Sequence, residues 1–285
     1  MKKSLQFFIG VFLLFGVSGC TSRSFMMTSL LTPTVSNLQR QTDIHLVCEG
    51  TPSFLLMIDS LLDSDAGSDE MLIAAVKSYV AYSAALDVCG RPERSVEVSQ
   101  KARRYGMQLL SRLGVFPSAS GGSPSFASFL FGIGSDDVAL LFWGGYGWAT
   151  WIHSQEGSPA SLADLVRVEQ IMLRVIDIDE TFYHGAAHIF LGAYYGSRPP
   201  LLGGKPEASR SHFEKALAVS DRRFLPAFVA YAETYAKMTF DRQLFAELLQ
   251  ETLDFPLADN PDQSLANQLA KRNARKLLDT IDTYF

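Results

Sequence analysis

The chain has 285 residues, 30 acidic and 25 basic side chains, a formal net charge of −5 and 47% hydrophobic residues. Without an N-terminal segment carrying Lys2 and Lys3, 23 basic residues face 30 acidic ones and the net charge is −7. That balance, with KARR at 101–104 as the densest basic run, argues against a nucleic-acid partner. The length suffices to bury a substantial core as one large domain or an array.

Lys2 and Lys3 precede an apolar run from Phe7 to Val17, FFIGVFLLFGV. It is too short to cross a bilayer as a helix and reads as the core of a secretion signal. The following VSGC, ending at Cys20, looks like the lipobox of bacterial lipoproteins. Residues 1–19 are therefore expected to be a signal peptide, cut before an acylated Cys20. Two or more acyl chains hold stably, each buried CH₂ contributing about 0.8 kcal/mol. Thr21 rather than Asp follows the cysteine, which favours a periplasmic protein attached to the outer membrane. Residues 20–45, rich in Ser and Thr, read as a lipidated tether, and 46–285 as a helical domain.

From there helical periodicity recurs, and no segment alternates long enough for a convincing strand. Helices are expected at roughly 52–63, 70–89, 93–113, 136–153, 161–177, 181–196, 206–219, 224–238, 241–253 and 262–283. Cys89-Gly90-Arg91-Pro92, Gly157-Ser158-Pro159 and Gly203-Gly204-Lys205-Pro206 punctuate them. The segment 114–135 reads as a crossover or loop whose Phe126, Phe129, Leu130 and Phe131 must dock on the domain. Once Cys20 is set aside, Cys48 and Cys89 are the remaining thiols. An antiparallel hairpin of the first two helices would make them neighbours, as a disulfide or as two buried free thiols.

A repeat emerges at a shift of 41 residues. It carries Val168, Met172 and Val175 onto Ser209, Phe213 and Ala216, and Leu191 and Tyr195 onto Ala232 and Ala236. The unit is a pair of helices, and its residue types fit the tetratricopeptide pattern with enlarged loops. The fold class expected is all-α, an α-solenoid of degenerate tetratricopeptide-like (TPR) hairpins.

HGAAHIFLGAYYG, from His184 to Gly196, places two histidines four apart, a spacing that on a helix shares one face. A metal site would draw a carboxylate from Asp177, Asp179 or Glu180, but the ligand set is short. Close helix packing over Gly185, Ala186, Ala187, Gly192 and Ala193 is the reading preferred. No nucleophile elbow, phosphate loop or Cys-His pair stands out, so no enzyme, catalytic residue, metal or cofactor is expected.

LLFWGGYGWATWI, from Leu140 to Ile152, covers more than one helix face with aromatic rings, while Gly144, Gly145 and Gly147 leave gaps beside them. This suits either a ligand cavity with aromatic walls or simple core packing. Trp143 and Trp148, with Tyr194, Tyr195 and Arg198 from the helix ending near Gly196, are the ligand-binding candidates. Arg198 would pair with a carboxylate, or form a surface ion pair.

DVALLFWGGYGWATWI, VEQIMLRVIDIDETFYHGAAHIFLGAYYGSRPPLLGGKPEASRSHFEKALAVS and SLANQLAKRNARKLL together resemble the T component of TRAP transporters, the TatT lipoprotein family. The resemblance extends upstream through CEGTPSFLLMIDSLL. It implies a lipid-anchored periplasmic protein associated with the transporter's solute-binding protein, and a homo-oligomer such as a trimer. It also implies an organic-acid or hydrophobic ligand, and no catalytic residues. The motif residues on matching positions are Trp143, His188, Tyr195, Gly203, Gly204 and Asn267, of which His188 and Asn267 join the ligand-binding candidates. The alternative from another class is a TPR scaffold lipoprotein that organises envelope assembly through protein–protein contacts.

Overall fold

The computed structural model describes residues 33–64, 67–115, 126–155 and 157–285. The expected signal peptide, Cys20, the tether up to residue 32 and the Ser/Gly-rich stretch at 116–125 lie outside them. Among the described residues there are helices and no strand, so the protein is all-α.

A short helical segment at 33–39 leads into α1 (Ile44–Ser64) and α2 (Asp69–Ala85). α1 begins well before the expected start at Pro52, which lies inside it. Ile44 and Val47, 2% and 3% exposed, anchor the added turns, and Asp43 accepts from the Leu46 N–H. α2 starts where Ser68 accepts from the Met71 N–H and ends earlier than expected, in turns that Gly90 closes with φ 68°. Cys48 of α1 and Cys89 after α2 form a disulfide, their Cα atoms 5.5 Å apart. α3 (Ser95–Arg112), α4 (Phe126–Phe131), α5 (Val138–Ser154) and α6 (Pro159–Asp179) follow. Of the four apolar residues expected to dock around α4, Leu130 is buried, but Phe131 stays 80% exposed with the Arg174 guanidinium near its ring.

α7 (Phe182–Gly196) and α8 (Pro206–Val219) pack as a pair, and α9 (Pro226–Tyr231) runs on into a π-helical turn at Ala232–Ala236. α10 (Arg242–Asp254) and α11 (Ser264–Asp279) follow, and a 3-10 turn at Ile281–Thr283 comes after α11. At the 41-residue shift, Val168, Met172, Val175, Ser209, Phe213 and Ala216 are all fully buried, as are Leu191, Ala232 and Ala236.

The glycines of α5 are filled, which corrects the gaps expected beside them. A Cβ on Gly144 would stand 2.6 Å from Leu110, on Gly145 2.6 Å from Ile171, and on Gly147 2.6 Å from the Ala102 carbonyl oxygen. α3 and α6 thus approach α5 closely enough that an alanine does not fit. Gly192 does the same for α7 and α8, where a Cβ would stand 2.9 Å from the Phe213 ring. The core divides into a cluster built by α1 to α7, and a second built mainly by α8 to α11.

Candidate functional site

A cavity of about 420 Å³ opens where the two clusters face each other. Three helices supply its walls through residues at helical spacing: Lys77, Val80, Ala81 and Ala84 from α2, Pro226, Val229 and Ala230 from α9, and Leu265, Ala266, Leu269 and Ala270 from α11. Trp143 and Tyr146 of α5, with Tyr183, form an aromatic end, and Gln39 from the segment preceding α1 also lines it. The volume falls in the usual range for small-molecule sites, and the lining is mostly apolar.

The aromatic end depends on a backbone feature that helical periodicity does not announce. Tyr183, His184 and Gly185 are all left-handed, with φ of 45°, 62° and 69°. Left-handed backbone costs a non-glycine residue roughly 1–2 kcal/mol, so packing must hold Tyr183 and His184 there. The Tyr183 ring meets Trp143 edge-on at 4.6 Å, and His184 stacks on Phe224 at 5.0 Å. Trp143 is in turn packed against Phe142 at 5.1 Å and Tyr146 at 6.0 Å. Burial, reinforced by Tyr146, holds the Tyr183 phenol above its ordinary range, so it stays neutral.

Consequently His184 and His188 do not share a helix face, a correction to the spacing expected from a continuous helix. His188 lies within α7's regular turns, fully buried, with its Nδ1 2.8 Å from Nδ1 of His212 on α8. Its Nε2 stands 3.6 Å from Glu180 Oε2, too far for a hydrogen bond. Burial pushes both imidazoles down, His212 to about 4, with His188 and Lys215 adding to the effect. Among the described residues no cluster of three or more His, Cys, Asp or Glu side chains is arranged to hold a metal.

Of the sequence candidates, Trp143 lines the cavity and the others lie elsewhere. Trp148 is buried and donates its indole N–H to Asp164 at 3.1 Å. Tyr195 donates its hydroxyl to Glu169 at 2.6 Å, and Lys205 lies 4.8 Å from its ring centre. Tyr194 stacks on Phe190, and the Arg198 guanidinium sits 4.7 Å from the Tyr194 ring. Asn267 is fully buried, accepting from the Leu225 N–H at 2.9 Å and donating to the Arg223 carbonyl at 3.0 Å. Gly203 takes a φ of 85°, and a Cβ on Gly204 would collide with the Arg198 carbonyl. Of the motif residues, His188, Tyr195 and Asn267 thus bond to other parts of the fold and do not line the cavity.

Sequence reasoning missed Lys77 and the stripes of α9 and α11. The signal available was a lone lysine on the same helical face as Val80, Ala81 and Ala84, inside an apolar segment. Lys77 Nζ lies 5.0 Å from the Trp143 ring and 6.0 Å from that of Tyr183, and burial lowers its pKa.

No curated protein matches the chain significantly. The family model described as the TRAP transporter T-component matches residues 40–285, nearly all of the described helices. The chain therefore belongs to the T-component family, accessory proteins of TRAP transporters.

Proposed function

We propose that this protein is a lipid-anchored periplasmic accessory component that associates with the solute-binding protein of its TRAP transporter and holds an organic-acid or hydrophobic ligand in the cavity beside Trp143. The cavity carries the reading: a hollow of about 420 Å³ with an aromatic end and apolar helical walls is what a small amphiphile requires, and a purely structural TPR scaffold has no use for it. The sequence VSGC ending at Cys20 supports acylation there and cleavage of residues 1–19, with the chain between Cys20 and the helical segment at 33–39 as the tether, a shorter one than the 20–45 expected because Val35 and Ile44 are buried in the domain. The 41-residue repeat supports a tetratricopeptide-like arrangement, and family membership supports a homo-oligomer.

Full-length protein solubilised from native membranes tests the proposal. Affinity purification is expected to bring down a periplasmic solute-binding protein, and mass spectrometry of the extracted small molecules to yield an organic acid or apolar compound. Repeated purification without a solute-binding protein sinks the partner assignment. An empty cavity in protein from cells growing on diverse carbon sources sinks the ligand assignment.

A further inference from the structure

The ionisable groups around the cavity differ in what satisfies them. Asp87 and Lys276 pair at 2.9 Å with both side chains largely exposed. Glu233, which burial pushes toward its neutral form, accepts from Asn273 at 3.3 Å and has Lys237 and Lys276 near it. Lys77 has neither arrangement. Its ammonium is partly buried between the Trp143 and Tyr183 rings, burial is the sole cause of its lowered pKa, and no carboxylate among the described residues forms an ion pair with it. A cation in an apolar wall is costly until an anion meets it, and contact with aromatic faces offsets only part of that cost.

The surroundings of Lys77 define the anion. Val80, Ala81 and Ala84 continue its helix face, with Leu265 and Leu269 of α11 lining the same hollow, so a charge at the aromatic end is continued by apolar wall. One ammonium matches one negative charge. Farther along, Lys276 already has Asp87, Arg272 lies exposed to water at the rim, and Glu233 disfavours a second carboxylate.

We propose that Lys77 is the anion-recognising group of the cavity and that its ligand is a monocarboxylate with an apolar chain, the carboxylate on Nζ and the chain between α2 and α11. This assignment rests on the reading that the cavity takes a ligand.

Calorimetry on the full-length protein in lipid nanodiscs, with empty nanodiscs as the reference, tests it. The probes are octanoate, 1-octanol, which has the same chain without charge, and suberate, which adds a second terminal carboxylate. Octanoate is expected to bind the native protein, to bind Lys77→Met at least about tenfold more weakly, and to bind Lys77→Arg within a few fold of native. Octanol should bind native protein and Lys77→Met alike, and suberate at least about tenfold more weakly than octanoate. Unchanged octanoate affinity in Lys77→Met, or an equal loss for octanol, overturns the role of Lys77 while leaving the cavity reading standing. Suberate binding as tightly as octanoate overturns the monocarboxylate assignment. Octanoate and octanol both failing to bind the native protein, or octanoate binding undiminished to Ala81→Trp, whose indole fills the hollow, removes the cavity reading and Lys77 with it.

Discussion

His188 and Asn267 belong to a motif and are buried, yet each is engaged within the fold. The two Nδ1 atoms of His188 and His212 at 2.8 Å require one imidazole to donate and the other to accept, so the acceptor must be neutral and the bond is lost once both rings are protonated. Burial lowers both pKa values, His212 to about 4 from the ordinary 6.5. The unfolded chain therefore binds protons that the folded chain refuses between about pH 6.5 and pH 4. Stability is complete above that window and lost as the pH falls through it. Thermal melts from pH 7 to pH 4 are expected to show a steeper fall in Tm for the native protein than for His212→Gln, and parallel curves would refute the pair's role. Asn267→Ala strips partners from a buried backbone N–H and a carbonyl, for an expected loss of about 1–3 kcal/mol in urea unfolding. The sequence made these two residues conspicuous without revealing their partners. His212 is 24 positions from His188, and the Asn267 contacts lie 42 and 44 positions away, distances over which helical periodicity says nothing.

Helices were legible because apolar stripes repeat at helical spacing, and the glycine seam of α7 was legible as close packing, whereas the glycines of α5 read as gaps that neighbouring helices in fact fill. Two predictions at this scale separate glycines that pack from a glycine that does not. Gly147→Ala gains up to about 1 kcal/mol of helix propensity. Its Cβ, however, would meet the Ala102 carbonyl at 2.6 Å, and backbone cannot step aside as a side chain can. Overpacking of this kind costs typically about 1–3 kcal/mol, so the variant is expected to be less stable and α3 and α5 to separate slightly. Gly50→Ala in α1 meets nothing within 4 Å and is expected to stabilise by about 0.5–1 kcal/mol. Chemical denaturation of both variants should give opposite signs, and equal signs would refute the distinction. What periodicity could not show was the left-handed turn at Tyr183, His184 and Gly185. Gly185 tolerates such a φ, but Tyr183 and His184 adopt it because Trp143 and Phe224 hold their rings, a tertiary cause with no local signature. The candidate site was half legible for the same reason: Trp143 declared itself by composition, whereas Tyr183 reaches the cavity only through that turn.

At the scale of the whole molecule the cavity lies at the seam between two cores, with α2 and the aromatic end on one side and α9 and α11 on the other. Covalent and electrostatic ties flank this seam. The Cys48–Cys89 disulfide closes a sequence separation of 41 residues, and Lys276 of α11 reaches Asp87, just beyond α2. The exposed ion pair contributes about 0–1 kcal/mol, whereas replacing both cysteines by serine is expected to remove up to about 4 kcal/mol in the chain-entropy model. A hollow at such a seam forgoes packing between the two halves, and a tighter fit is available to single substitutions. Ala81→Leu places three more carbons among Val80, Leu265 and Leu269 and is expected to raise the ligand-free stability by about 1 kcal/mol. The same change should abolish the rise in Tm that a bound ligand gives the native protein through mass action. A variant that is stabilised yet still shifts its Tm with octanoate would place the ligand outside this seam. One that is destabilised would mean that the walls are too rigid to close on the added side chain, so that the hollow is held open by the helices themselves.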